Sequence, residues 1–165
     1  GHGISVTPLA LAAATGALLN DGVYIKPTIL KRDIANPPVT RRVIKTETSQ
    51  TLRDLMRYVA TNGTGRNARV KGYGVMGKTG TAEKPSATGG YDQKRLVTSF
   101  VAAFPHHAPR YAMIVTLDEP QAIEGTWGYA TAGWNAAPTA GQVIRRIGPI
   151  LPGAREPQQF VEVQP

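Results

Sequence analysis

The stretch that most constrains the fold is residues 72–85, GYGVMGKTGTAEKP, which holds four glycines and ends on a proline. A glycine inside a helix costs about 1 kcal/mol relative to alanine, and an interior proline breaks the helix. An extended chain instead places alternate residues on opposite faces. One face takes Val75, Thr79, Thr81 and Glu83, and the other takes Met76, Lys78 and Ala82. We therefore predict a β-strand, in which Gly77 and Gly80 let a ligand or another backbone approach closely.

Two short motifs overlap in this strand and imply different chemistries. Gly72, Gly77, Lys78 and Thr79 match G-x-x-x-x-G-K-[ST], the loop that cradles nucleotide phosphates. The later segment AMIVTLDE also resembles the apolar strand that ends on a magnesium-holding acidic residue in such proteins. Residues 78–80, Lys-Thr-Gly, are equally one of the short motifs of serine acyltransferases that penicillin attacks. The flanking residues must decide between the two interpretations.

The flanks disfavour the phosphate loop. That loop needs a buried strand before its first glycine and a helix that begins at Lys-Thr, because the helix end holds the anion. Before Gly72 stands the polar segment TGRNARVK, and after Thr79 come Gly80 and Pro85. We predict that no helix starts here, and a nucleotide-binding phosphate loop remains an alternative.

Patterns elsewhere predict helices packed about an antiparallel sheet. At 165 residues the chain suits one globular domain, and it contains no run of about eighteen apolar residues that would predict a membrane span. Apolar spacing and capping residues predict helices over residues 7–20, over residues 49–62 behind a Thr/Ser cap, and within residues 134–151. The last helix carries Val143, Ile144 and Ile147 on its apolar side.

Apolar, β-branched runs predict two further strands, Leu96–Phe104 and Arg110–Asp118, joined by the turn PHHAP. Residues 85–94 read as an exposed loop, and VYIKPTILKRDI as two short extended pieces broken by Pro27. The expected sheet has three antiparallel strands between about residues 75 and 118. Trp127 and Trp134 are expected to be packing groups.

Composition narrows the function classes only partly. The chain has no cysteine, which excludes disulfides, thiolate metal sites and cysteine nucleophiles, and we predict no metal at His106 and His107 because no third ligand accompanies them. The formal charge of +8 suits nucleic acid, anionic lipid or acidic substrates alike. A basic nucleic-acid-binding module is therefore a second alternative, although residues 66–95 supply only Tyr73 and Tyr91 as aromatic platforms.

Several segments in a fixed order resemble a known family. GHGISVTPLALAAATGALLNDG, GYGVMGKTGTAEK, SFVAAFP, RYAMIVTLDEP and a final helix of small residues closely resemble the C-terminal half of the transpeptidase domain of class B penicillin-binding proteins. Within this class, the segments most resemble those of the division-specific type. The resemblance covers residues 1–151, and residues 152–165 are expected to form a loosely held tail. It implies an α/β (α+β) fold, an antiparallel sheet flanked by helices within the penicillin-binding and β-lactamase-like transpeptidase fold.

The resemblance also implies an activity. Such an enzyme cross-links peptidoglycan: its serine attacks the D-Ala-D-Ala end of a stem peptide, and β-lactams acylate the same serine. It uses no metal or cofactor. The implied partners are the stem peptide, β-lactams, the upstream half of the same protein and divisome proteins, with no nucleic acid. The implied location is the periplasmic face of the bacterial inner membrane, with the anchor on an upstream segment.

Carried over to this sequence, the family pattern assigns four site residues. Lys78 is expected to hold the serine network, Thr79 and Thr81 to bind the substrate carboxylate, and the Thr81 N–H to form half of the oxyanion hole. Gly80 keeps the strand open to the substrate backbone. The family's Ser-x-x-Lys and Ser-x-Asn are absent, since the serines stand at 5, 49, 86 and 99 without either pattern. We therefore expect a fragment that is inactive alone.

Overall fold

Three antiparallel strands form the centre of the computed structural model, which describes residues 3–33 and 35–157. The helices are α1 (Pro8–Leu19), α2 (Thr46–Thr61) and α3 (Ala136–Ile147), and the strands are β1 (Val23–Ile25), β2 (Thr40–Arg42), β3 (Met76–Pro85), β4 (Tyr91–Phe104) and β5 (Tyr111–Asp118). The central sheet has the order β3-β4-β5, and β1 pairs with β2 in a separate ribbon. The predicted antiparallel sheet flanked by helices is confirmed.

Helices cover both faces of the central sheet. α3 packs on one face, where Phe100 and Phe104 of β4 and Ile144 of α3 are buried. α1 and α2 pack on the other face, where Leu19 of α1, Met76 of β3 and Ala103 of β4 form a second buried cluster. Since side chains alternate along β3, its residues are divided between an α3 side and an α1/α2 side.

Side chains of α2 hold the end of α1. The Thr7 hydroxyl caps α1 by accepting a hydrogen bond from the Ala10 N–H at 3.2 Å. At the other end, the Ser49 hydroxyl donates to the Leu18 carbonyl at 2.6 Å, and Arg53 Nε donates to the Leu19 carbonyl at 2.8 Å. The last carbonyls of a helix have no partner within it, so these two bonds join α1 and α2 into one unit.

That use of Ser49 explains a difference from the predicted helix. The sequence pattern places Ser49 near the start of α2, but the helix begins three residues earlier, at Thr46, and Ser49 is fully buried inside it. Its hydroxyl donates to a carbonyl of α1 and does not cap the N-terminus of α2. The predicted boundary and the predicted Thr/Ser cap were therefore wrong: the N-cap residue is Lys45, which makes no side-chain capping bond, and the Ser49 hydroxyl bonds to α1 instead.

The β1–β2 ribbon begins and ends beside the C-terminal end of α1. The Val43 N–H donates to the Gly22 carbonyl at 2.8 Å, and Arg42 Nη1 donates to the Asp21 carbonyl at 2.8 Å. Of the two extended pieces predicted in residues 23–34, only Val23–Ile25 is a strand. Its partner is Thr40–Arg42, beyond the prolines, while Ile34 lies outside the described residues.

The hairpin between β3 and β4 is longer than predicted. β4 begins at Tyr91, so the expected exposed loop from Pro85 to Lys94 shrinks to residues 86–90. Pro85 pairs with Tyr91 after a register shift between Glu83 and Lys84. The turn closes on Gly89 and Gly90, both at positive φ, which glycine adopts without strain. The turn formers thus make a tight hairpin end rather than an open loop.

The C-terminal part packs through small residues. The buried side of α3 consists of Ala136, Ala137, Ala140, Gly141 and Ile144, whereas the predicted apolar residue Ile147 is 37% exposed. Beyond the helix, Ala154 is buried and the Glu156 carboxylate accepts from the His106 N–H at 2.6 Å. Within the tail predicted to be loosely held, Ala154 and Glu156 make these tertiary contacts. Residues 158–165 lie outside the described part.

A cluster of charges ties the three central strands together beside the hairpin. Lys84 Nζ contacts the carboxylates of Asp118 and Glu119, and Arg95 Nε lies 2.9 Å from Glu119 Oε1. Hydrogen bonds from Lys84 and then Arg95 hold the pKa of Glu119 below its ordinary value. Hydrogen bonds to Asp118 and then Glu119 raise the pKa of Lys84. The cluster stabilises the folded state while all its members are charged.

This cluster predicts a pH-dependent stability difference in the complete protein. A lowered carboxylate pKa stabilises the fold above the ordinary value of 4.5, and that contribution is lost as pH falls through the folded pKa. We expect Glu119→Gln to lower the Tm at pH 7 and the difference from wild type to shrink below pH 4.5, as thermal unfolding at several pH values will show. Glu124→Gln, at an exposed position, is the control. A Tm offset for Glu119→Gln that stays constant from pH 7 to pH 3 would contradict the role given to its charge.

Candidate active site

The strand β3 carries the four predicted site residues on an exposed edge of the sheet. Lys78, Thr79, Gly80 and Thr81 are consecutive in its middle, and β4 is its only partner strand among the described residues. An edge strand leaves half of its backbone N–H and C=O groups without a partner strand. A peptide ligand can therefore pair with β3 along this edge. The strand also removes the helix N-terminus that a phosphate loop requires, so the nucleotide-binding alternative has no structural support.

The two threonines face one cavity. Thr79 lies opposite Phe100 and Thr81 opposite Thr98, and both partners are buried on the α3 side of the sheet. The cavity has a volume of about 490 Å³. It is lined by Asn62, Gly63, Thr64, Arg66, Asn67, Thr79, Thr81, Thr131, Ala132, Gly133 and Trp134. The structure thus brings the predicted carboxylate-binding hydroxyls together.

Neighbouring groups hold both hydroxyls. The oxygens of the Thr79 and Thr64 hydroxyls are 2.7 Å apart, and the Thr81 hydroxyl accepts from the Ala132 N–H at 3.2 Å. Sequence patterns did not point to Thr64 or Ala132, because they lie 15 and 51 residues from their partners along the chain. The glycines around Thr64 signal a turn, but nothing local indicates what that turn touches.

Two loops form the remaining walls and are joined to each other. Asn67 Nδ2 donates to the Gly133 carbonyl at 2.8 Å. A Cβ added at Gly133 would lie 2.7 Å from the Thr64 carbonyl oxygen, so only glycine fits this approach. The segment of residues 62–67 and the segment of residues 131–134 therefore hold their positions relative to β3.

The cavity favours an anion. Arg66 is the one ionisable residue among its lining residues, and it is exposed. Hydroxyl groups, the amides of Asn62 and Asn67, and the indole N–H of Trp134 supply the remaining side-chain polar atoms. A carboxylate that enters meets hydrogen-bond donors and a guanidinium without an opposing acidic group.

Lys78 points to the other side of the sheet. Its Nζ donates to the Thr79 carbonyl at 2.8 Å, and the residue is exposed. It does not line the threonine cavity. The structure therefore separates the lysine from the two hydroxyls by the strand itself, as the alternation predicts. A Cβ added at Gly80 would have only the Ser99 carbonyl oxygen nearby, at 4.0 Å, so space is open beside it.

Of the two tryptophans predicted to be packing groups, Trp134 packs against another ring and Trp127 does not. Trp134 stacks on Tyr129, with ring centroids 5.6 Å apart and planes 11° apart. Trp127 is 80% exposed and has a left-handed backbone at φ 53°, so its prediction as a packing group was wrong in the described structure. The turn that carries Trp127 directs it away from the core.

The histidines of the β4–β5 turn bind separate carboxylates. His106 Nε2 lies 2.9 Å from Asp54 Oδ1, and His107 Nδ1 lies 2.6 Å from Glu156 Oε2. Within residues 3–33 and 35–157, no three His, Asp or Glu side chains converge as metal ligands would. In the same ranges no helix has both the length and the apolar character that a bilayer crossing requires.

Comparison with known proteins assigns the arrangement to a family. The sequence profile described as the penicillin binding protein transpeptidase domain matches residues 1–145. The chain belongs to this family. Its sequence is 42% identical over 171 residues to a probable peptidoglycan D,D-transpeptidase FtsI of Caulobacter vibrioides, covering 99% of this chain and 29% of the relative. It is 37% identical to the stage V sporulation protein D of Bacillus subtilis, covering 92% of this chain and 24% of that protein.

Solved structures of this family share the fold. The transpeptidase domain of Burkholderia pseudomallei penicillin-binding protein 3 superposes with a TM-score of 0.79 at 34% identity, covering 95% of this chain and 46% of that one. Penicillin-binding protein 3 of Mycobacterium tuberculosis in complex with ampicillin has a TM-score of 0.73 at 28% identity, covering 99% of this chain and 40% of that one. The fold class implied by the resemblance is confirmed. This chain spans less than a third of the curated relatives named above.

Proposed function

We propose that this chain supplies the carboxylate-binding wall of a serine-type peptidoglycan D,D-transpeptidase. The observation that carries the proposal is the cavity beside β3, where Thr79, Thr81 and Arg66 converge on one edge of the sheet in a member of the transpeptidase family. The nucleophilic serine lies in an upstream segment, since the described serines are not part of a Ser-x-x-Lys motif. The isolated chain is then inactive.

Each site residue has a role that its position supports. The Thr79 and Thr81 hydroxyls bind the terminal carboxylate of the stem peptide, which the Arg66 charge attracts into the cavity. Lys78, on the opposite side of β3, extends its ammonium towards the upstream serine motifs and stabilises the charge that develops there. The Thr81 N–H donates to the oxyanion, and Gly80 leaves room for the substrate backbone along the strand edge.

The reaction is an acyl transfer in two steps. The upstream serine oxygen attacks the carbonyl between the two D-alanines, and the terminal D-alanine leaves with a proton on its nitrogen. The amine of a neighbouring stem then attacks the acyl-enzyme and releases the serine. A β-lactam carries a carboxylate near its reactive amide and acylates the same serine. The relatives solved with ampicillin and aztreonam support β-lactam binding by this protein.

The partners follow from the same proposal. The outer edge of β5 has no partner strand among the described residues, and the upstream half of the protein supplies one. The complete protein acts at the periplasmic face of the inner membrane with divisome proteins, needs no metal or cofactor, and binds no nucleic acid.

The test is covalent labelling with a fluorescent penicillin. We expect the complete protein to be labelled stoichiometrically, and alanine replacement of the serine in its upstream Ser-x-x-Lys motif to abolish the label. Peptide mapping by mass spectrometry locates the adduct. A label on Ser5, Ser49, Ser86 or Ser99, or no label on the complete folded protein, would overturn the proposal.

A further inference from the structure

The Thr64 hydroxyl is the feature that the proposed roles leave unused. It lies 2.7 Å from the Thr79 hydroxyl, on a segment outside β3, and both groups line the threonine cavity. A threonine hydroxyl has one proton to donate and two lone pairs to accept with. Which of the two hydroxyls donates the hydrogen bond between Thr64 and Thr79 therefore decides whether Thr79 can donate its own proton to a ligand.

A carboxylate in the cavity sets that direction. Ionised carboxylate oxygens only accept, so Thr79 binds one with its proton and must then accept from Thr64. Thr81 is already arranged in this way, because its oxygen accepts from the Ala132 N–H and its proton remains available. Thr64 and the Ala132 N–H thus stand in equivalent positions, each behind one of the two hydroxyls that face the ligand.

The segment that carries Thr64 is held in place from both sides. A Cβ added at Gly65 would lie 3.0 Å from Phe100 Cε2, and one at Gly63 would lie 3.0 Å from Val59 Cα. These glycines let the segment approach the core ring and the end of α2 closely. Asn67 fixes its far end through the Gly133 carbonyl at 2.8 Å. The Thr64 hydroxyl is therefore preorganised rather than recruited by the ligand.

We propose that Thr64 is a positioning residue that donates its hydroxyl proton to Thr79 and so commits the Thr79 hydroxyl to donate to the substrate carboxylate. The inference rests on the proposed function, since the ligand is the carboxylate of a stem peptide or β-lactam. The Thr64 hydroxyl proton goes to Thr79 and not to that ligand. Thr64 acts on affinity for the carboxylate and not on the chemistry at the serine.

The experiment compares two ligands with the complete protein. Thr64→Val keeps the shape of the side chain and removes the hydroxyl. We expect it to slow acylation by a carboxylate-bearing β-lactam about five-fold, as the loss of one hydrogen bond in the network would, and to leave acylation by the corresponding methyl ester near wild type. With the acid, the change should lie in the concentration for half-saturation and not in the limiting acylation rate. Thr64→Ser should restore the wild-type values.

Controls separate this inference from the proposed function. Thr51→Val makes the same chemical change at an exposed hydroxyl that bonds within α2, to the Glu47 carbonyl at 3.0 Å, and should leave both ligands unaffected. Equal slowing of acid and ester by Thr64→Val, no change with either, or failure of Thr64→Ser to restore the acid would overturn the role of Thr64. Absence of labelling in the wild-type protein would instead count against the proposed function.

Discussion

Replacing Lys78 with alanine in the complete protein is expected to slow acylation about 10²- to 10³-fold for every β-lactam, whether or not it carries a free carboxylate. Loss of one preorganised group that stabilises developing charge has effects of this size. The lysine lies on the side of β3 away from the threonine cavity, and its ammonium contacts only the neighbouring Thr79 carbonyl in the described structure. Its charge is therefore available to the upstream serine network.

Thr81→Ala should differ in kind from Lys78→Ala. The alanine keeps the backbone N–H that is assigned to the oxyanion and removes only the hydroxyl, which costs about 1.5–3 kcal/mol for a hydrogen bond to a charged group. Ligands with a carboxylate should weaken while their esters change little. The measurement is the second-order acylation rate of wild type and both variants with an acid and its ester.

Lys71→Ala is the control for loss of positive charge. Lys71 is exposed and does not line the threonine cavity, so its removal should leave both rates near wild type. If Thr81→Ala slows the acid and the ester by the same factor, β3 does not distinguish the carboxylate. If Lys78→Ala leaves both rates near wild type, the lysine is not part of the serine network.

Gly77→Ala is expected to destabilise the folded protein by about 3 kcal/mol, within the range that overpacking a core produces. An added Cβ would collide with the Phe100 ring and lie 2.6 Å from the Val101 carbonyl oxygen, so both the core and the strand pairing must shift. Thermal or denaturant unfolding of the complete protein gives the change, and a lower yield of soluble protein should accompany it.

Gly80→Ala is the matched control in the same strand. Its Cβ would meet only the Ser99 carbonyl oxygen, at 4.0 Å, so stability should remain within about 0.5 kcal/mol of wild type. Its acylation rate should nevertheless fall about ten-fold, because the methyl group displaces a substrate backbone that lies along the strand edge. Equal stability of the two variants would contradict the packing described around Gly77.

The sequence predicted the elements whose signals are local. The glycines and the proline around residues 76–85 exclude a helix, and this predicted β3. The alternation of side chains along a strand then placed Lys78 on the opposite face from Thr79 and Thr81. Thr7 and Pro8 likewise marked the start of α1. These patterns depend only on residues that are close in the sequence, so they can be recognised before the fold is known.

The parts that could not be predicted depend on contacts between distant segments. The Ser49 hydroxyl was available to cap its own helix, but the structure uses it on the end of another. The cavity walls likewise come from turns whose own residues show only that the chain bends there. Thr64 and Ala132 become part of the site only through their hydrogen bonds to β3.

The joining of α1 to α2 has a consequence for how sequences of this kind can vary. The two helices are held to each other directly, and the chain between them departs and returns beside Gly22. Between strands β1 and β2, Ile29 is fully exposed and Leu30 is 76% exposed. Because the entropy of closing a loop rises only slowly with its length, we expect an insertion or a grafted tag between Ile29 and Leu30 to leave the distance between the helices unchanged. Related sequences can therefore differ in length at this point while the arrangement of the helices around β3 stays the same.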